Sequence, residues 1–157
     1  MSGEPLRAYL AGAMERAPDR GREWREGLLP LFEELGHEVF HPNVEEAKIV
    51  SPEERANFRE WKANGHAEFR RMMRRIIDHD IAALERCDYL VCYWDRHAHG
   101  SGGTPSEVTL MHHWGRPVYL VLGVPRVEVS SWVLGCATRV FETFDDLAEH
   151  LRGEHGP

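Results

Sequence analysis

Residues 88–94, DYLVCYW, constrain the fold of this chain more than any other segment. After the leading Asp88 the run is almost continuously apolar, without the alternation of a strand that has one wet face. Such a run marks a central strand of a parallel sheet, covered on both sides. PVYLVLG (117–123) is a second run of the same kind. RAYLAG (7–12), closed by Gly12, reads as a first strand ending in a turn. HEVFHP (37–42), stopped by Pro42, and a weak stretch near 139–142 complete the strand candidates.

The segments between them carry helical spacing. Trp24, Leu28, Leu31, Phe32 and Leu35 recur on one face, and Gly36 stands where a C-terminal cap belongs. Pro30 is expected to kink that helix or to mark a restart. Residues 51–86 read as a long helical region, opened by a capping box of Ser51, Pro52 and Glu54 and broken in two at Gly65. Its second part sets Phe69, Met72, Met73, Ile76, Ile77, Ile81 and Leu84 on one stripe. A helix from about Pro105 to Trp114, a short turn within SSWVLGCATRVFETF and a closing helix at DDLAEHLRG, capped by Gly153, complete the pattern. Strands alternating with helices predict an α/β architecture: a Rossmann- or flavodoxin-like parallel sheet of about five strands with helices on both faces. With 157 residues the chain suits a single domain spanning 1–157.

Such sheets bind ligands beyond the carboxyl ends of their strands, at a topological switch point. The loops after Ala11, Trp94 and Leu122 are therefore the places to look. Charge narrows what could bind there. Twenty-six acidic against 19 basic side chains give a formal charge of −7, which argues against a nucleic-acid polymer and favours a small molecule. No apolar run approaches the ~18 residues of a membrane span, and the N-terminal stretch lacks a signal peptide's apolar region. Cys87, Cys92 and Cys136 contain no C-x-x-C and read as buried thiols of a cytoplasmic protein.

The loop after Trp94, DRHAHGSGGTPSEV, is rich in glycine yet offers a carboxylate, Glu107, where phosphate loops offer lysine. Glycines let backbone approach a ligand, and amides at a helix start favour negative charge. The plain alternative is a structural turn, with Thr104 capping the helix and Glu107 complementing its dipole. Two further residues weigh on the choice. Asp80 is a carboxylate inside an otherwise apolar stripe, costly unless paired, exposed or functional. Tyr9 lies just before the first turn, where its phenol could reach the same crevice. Each also has an ordinary reading, as a solvent-facing helix acid and as a core tyrosine. His97, His99, His112 and His113 lack the further ligands a metal centre needs, so neither metal nor cofactor is expected. Arg70, Arg71, Arg74 and Arg75 read as a solvated helix face paired with acids.

Taken together, YLAGAM, DHDIAALERCDYLVCYW and GTPSEVTLMHHWGRPVYLV resemble the nucleoside 2-deoxyribosyltransferase superfamily. That superfamily includes deoxyribosyltransferases and 2'-deoxynucleoside 5'-monophosphate N-glycosidases, and the resemblance covers about residues 7–147. It implies that Glu107 is the nucleophile attacking C1' of the sugar. It implies also that Tyr9 positions Glu107, and that Asp80 lies beside the leaving base and aids its proton transfer. Cleaving an N-glycosidic bond builds positive charge on the sugar, which an anionic carboxylate stabilises and then traps covalently. The helix start is expected to hold Glu107 ionised by lowering its pKa. Ser101, Gly102, Gly103 and Thr104, with Ser106, are candidates for holding the 5'-hydroxyl or a 5'-phosphate, Gly12 for a further substrate contact, and Asp95 for the family's loop acid. Ser130 and Ser131 match the position at which the family draws on a neighbouring subunit, which implies a homodimer or higher homo-oligomer. Two other functions stay open: a non-catalytic nucleotide-binding sensor, and a phosphoribohydrolase of the lysine-decarboxylase-like type. The resemblance also leaves transfer of the sugar to another base open against its release to water.

Overall fold

A computed structural model describes residues 3–157. Strands β1 (Arg7–Gly12), β2 (Glu38–Phe40), β3 (Tyr89–Trp94), β4 (Val118–Leu122) and β5 (Arg139–Phe141) form one sheet in the order β2-β1-β3-β4-β5. Every pairing is parallel. The expected flavodoxin-like sheet of five strands is what the chain forms. The two most apolar runs, β3 and β4, lie side by side with Leu90 opposite Val118 and Trp94 opposite Leu122. β1 flanks β3 on the other side, with Ala8 opposite Tyr89.

Helices cover both faces, as a doubly buried sheet requires. α1 (Arg22–Leu35) and α7 (Phe144–His155) bury Leu28, Leu31, Phe32, Leu147 and Leu151 against Leu10, Val91 and Val121. On the opposite face α4 (Ala67–Arg86), α5 (Gly103–His113) and α6 (Ser131–Cys136) bury Leu84, Val108, Met111 and Val133 against Tyr9, Leu90, Cys92 and Leu120. The three cysteines are free and buried. Among the described residues no helix is long and apolar enough to cross a membrane.

Several local expectations are met and others are revised. Gly36 ends α1 in the left-handed conformation, and its N–H closes on the carbonyls of Phe32 and Glu33. α1 nevertheless runs through Pro30. Residues 51–86 divide at Gly65 (φ 63°) into α3 (Pro52–Ala63) and α4, and the capping box at Ser51 and Glu54 forms with both reciprocal bonds. A helix the sequence reading did not foresee, α2 (Pro42–Ile49), follows β2 directly, with Pro42 in its first turn. Within SSWVLGCATRVFETF the short helix α6 precedes the strand β5, and α7 continues past Gly153 to His155. Thr104 is not the cap of α5. Gly102 holds that place, and the Thr104 N–H donates to Ser101 Oγ at 3.2 Å.

Strand order reverses direction at β1: one connection leads outward to β2, the other back across to β3. The crevice beyond the ends of β1 and β3 is thus the switch point where such sheets take ligands.

Candidate active site

A cavity of about 420 Å³ opens at that crevice. This is the size range of a pocket for a small organic molecule. Tyr9 and Gly12 reach it from β1, Asp80 from α4, and Ser101, Gly102, Gly103, Thr104 and Glu107 from the start of α5. Eight residues singled out from the sequence therefore share one cavity, brought there by three elements and their loops. Ser106 lines it as well, although its hydroxyl donates to the Gly102 carbonyl at 2.7 Å.

Asp95, Ser130 and Ser131 do not line this cavity. The Asp95 carboxylate accepts the N–H groups of His97 and Ala98 and so caps a single 3₁₀ turn over Arg96–Gly100. Its side chain is committed to shaping the loop. Ser130 and Ser131 sit at the start of α6, and Ser131 borders a separate shallow depression with Thr109, Trp132 and Cys136.

The glycines have separate reasons to be glycine. A Cβ on Gly12 would stand 2.8 Å from the Trp24 ring and 3.2 Å from the Tyr93 carbonyl, so the strand end and α1 can approach only without one. At Gly100 a Cβ would meet the Arg16 guanidinium at 3.0 Å. Gly100 thereby lets Arg16 lie across the mouth of the cavity, where Arg20 also stands, ion-paired to Glu46 at 2.8 Å.

Electrostatics in the cavity depart from the expectation that the helix start would hold Glu107 ionised. Burial pushes the Glu107 carboxyl up to about 8, and the neighbouring Asp80 pushes the same way. Tyr9 and Arg25 oppose them without winning. The reason is position: α5 starts at Gly103, so Glu107 lies beyond the first turn, where the dipole has faded. Asp80 is raised to about 6, again first by burial, with Glu46 adding to it and His79 opposing. Two carboxyls that each resist ionisation, and that repel each other when ionised, hold one proton between them near neutrality.

Tyr9 completes the group. Its ring stacks on Phe40 at 4.9 Å between centroids and 10° between planes, which fixes the direction of the phenol. The hydroxyl is buried and has no hydrogen-bond partner of good geometry among the described residues. Burial raises its pKa well above the ordinary value, and Glu107 raises it further, so it remains a neutral donor beside the carboxylate.

One member of the site escaped the sequence reading. Arg25, on the first helix, is fully buried and lines the cavity. Its guanidinium donates to the carbonyls of Leu10 (3.1 Å), Gly12 (3.1 Å) and Gly21 (2.9 Å) and to Asn43 Oδ1 (3.3 Å). Burial lowers its pKa to about 10, which leaves it charged at neutrality, and Glu107 is the acid that supports its charge most. The signal available was weak: in REWRE it looks like any arginine on a solvated helix face. His97, at the rim, and the apolar side chains Phe58, Met73, Ile76, Ile77 and Ile81 supply the remaining walls.

No protein-family model and no curated protein sequence matches the chain. Solved structures do. The 2-deoxyribosyltransferase of the psychrotolerant bacterium Bacillus psychrosaccharolyticus superposes with a TM-score of 0.66 at 17% identity, over 91% of this chain and 90% of that one. A conserved protein from Enterococcus faecalis V583 gives 0.64 at 16%, over 96% and 99%. The CMP N-glycosidase BcmB of Clostridium botulinum gives 0.55 at 17%, over 94% and 98%. The chain thus shares, along nearly its whole length, the fold of a nucleoside deoxyribosyltransferase and of a nucleotide N-glycosidase.

Proposed function

We propose that this protein cleaves the N-glycosidic bond of a 2'-deoxynucleoside or its 5'-monophosphate. The observation that carries the reading is the meeting of Glu107, Asp80 and Tyr9 in one cavity at the switch point of the sheet. Its fold, shared with enzymes of that chemistry, supports it. In this reading Glu107 attacks C1' as the bond to the base breaks and forms a glycosyl ester. Asp80 gives a proton to the departing base, whose nitrogen takes the bonding pair. The sugar then passes to a second base or to water, and Glu107 is regenerated as a carboxylate. In this reading the Tyr9 phenol, which has no other partner among the described residues, turns to donate to Glu107 and aims it.

The order of proton affinities sets a condition on this scheme. Glu107 must be ionised and Asp80 protonated, while the protein's own groups favour the proton on Glu107. Positive charge developing on the sugar stabilises the Glu107 anion, and a base nitrogen at Asp80 draws the proton there. Arg25 assists by favouring the charged form of Glu107. Arg16 and Arg20 at the mouth, together with the Ser101–Thr104 backbone, suit a 5'-phosphate. Ser130 and Ser131 would meet a substrate only from a second copy, which is how a homo-oligomer would complete the site.

The test is direct. Glu107→Gln keeps the shape of the side chain and removes the nucleophile, so base release from a panel of 2'-deoxynucleosides and monophosphates should fall by roughly 10³-fold or more. Undiminished turnover in that variant would remove Glu107 from the mechanism. Adding a second free base separates the two outcomes: exchanged nucleoside shows transfer, free sugar shows hydrolysis.

A further inference from the structure

α3 differs from every other α-helix among the described residues in that none of its residues is buried. A helix of 12 residues without a buried face gains little from packing, and its persistence here rests on its capping box and Pro52. Its ties to the rest of the molecule are largely exposed ion pairs. Glu54 binds Arg75 on α4 at 2.6 Å, and Glu15 in the β1–α1 loop pairs with Lys62. Glu15 itself lines the cavity, so α3 is tethered to the cavity rim on one side and to α4 on the other. Gly65, with φ 63°, and the extended Ser51 bound it at its two ends.

From this lightly held helix one side chain, Phe58, enters the cavity wall. It meets Phe69 edge to face at 5.4 Å and stands with Met73 and Ile77. Ile77 is 47% exposed, a large apolar residue of the same wall left uncovered. The same lining also holds a polar, backbone-rich group, Gly12, Arg16 and Ser101–Thr104. A ligand that fits has one flat apolar end and one polar end. In a nucleoside or nucleotide the base is the flat end, and aromatic side chains bind bases through their faces.

We propose that α3 closes over the ligand as a movable wall and that Phe58 covers the nucleobase, making it a specificity-determining residue of the site. This rests on the reading of the cavity as a nucleoside or nucleotide site. Closure removes water from the side of the sugar that the base occupies, so the fit of a second base under Phe58 governs how much sugar is transferred rather than hydrolysed.

The experiment uses the Glu107→Gln protein, so that ligand is not consumed, and calorimetric titration with two sets of ligands. One set holds the four common 2'-deoxynucleosides and their 5'-monophosphates; the other holds 2-deoxyribose and its 5-phosphate, which lack a base. Adding Phe58→Ala should weaken the first set roughly tenfold or more and leave the second unchanged. Phe58→Trp should retain binding of the first set. Hydrogen exchange of residues 53–63 should slow on addition of base-containing ligands and not with the bare sugars. Equal losses for both sets, or none for the first, would overturn the assignment of Phe58 while leaving the site reading intact. If the Glu107→Gln protein binds neither set, the site reading falls and this proposal falls with it. Phe58 lies on a helix without buried residues, so the substitution leaves the core untouched, and circular dichroism checks that it does.

Discussion

Asp80 and Glu107 announce themselves to different degrees in the sequence. Asp80 is visible because an acid interrupts the apolar stripe of α4; Glu107 is visible only once the glycine-rich loop before it is taken as the end of a buried strand. What neither position reveals is which carboxyl holds the proton, since that depends on burial and on the distance from the start of α5. With Glu107 raised to about 8 and Asp80 to about 6, the pair titrates in two steps. Below the lower step both are protonated and Glu107 cannot attack; above the upper step both are ionised and the base leaves without a proton. Base release should therefore follow a bell in kcat/KM with limbs near pH 6 and pH 8. Asp80→Asn should lower the rate by roughly 10²- to 10⁴-fold and abolish the alkaline limb. Its acidic limb should move up from pH 6, because Glu107 alone now sets it and burial still holds that carboxyl high, although below 8 once the Asp80 anion is gone. A pH–rate profile of the two proteins decides it, and an alkaline limb that survives in Asp80→Asn would assign that limb to another group.

Elements were legible wherever burial is simple. β1, β3 and β4 read directly from their apolar runs because a strand covered on both faces has no polar position to confuse the pattern. α2 was not legible: PNVEEAKI buries only Pro42 and Asn43, so no apolar face marks it as a helix. The place of α1 in the site was hidden for a related reason. Its apolar face predicts packing on the sheet, which occurs, but Arg25 turns from the neighbouring face to the end of β1. There it ties Leu10 and Gly12 to Gly21, the left-handed residue that starts α1. A Cβ on Gly21 would lie 2.4 Å from the Ala13 carbonyl and from Arg25 Nη1, so the turn and the arginine were fitted together. Carbonyl partners carry no signature in sequence, and no acid is spaced to advertise an ion pair. Arg25→Met should leave these acceptors unsatisfied and lower the unfolding free energy by about 3 kcal/mol or more. It should also raise the Glu107 pKa further, since the cation that favours its anion is removed. Urea denaturation measures the first effect, and a shift of the alkaline limb of the pH–rate profile to higher pH measures the second. A purely structural arginine would show the first without the second.

At the scale of the whole molecule, the fold accepts a cost in order to hold two acids in an apolar crevice. The sign of that cost follows from linkage. Glu107 is raised in the fold from an ordinary 4.5 to about 8, and Asp80 from 3.8 to about 6. Between each pair of values the folded protein binds more protons than the unfolded chain, so stability falls as pH rises through that window. The contribution of Glu107 is thus harmless below pH 4.5 and is felt in full above pH 8. Glu107→Gln removes it, because an amide fills the same space and never ionises. At pH 9 the variant should be more stable than the wild-type protein by an amount of order 1–3 kcal/mol, and the two should converge near pH 5. Titrating groups remote from the cavity are common to both proteins and cancel in the difference, of which the lost Asp80–Glu107 repulsion is a part. Thermal unfolding of the two chains across that range is the measurement. A gap that widens toward high pH is the result expected of a carboxyl held against its ionisation for chemistry, whereas parallel curves would mean that Glu107 sits in water and that the crevice does not strain it.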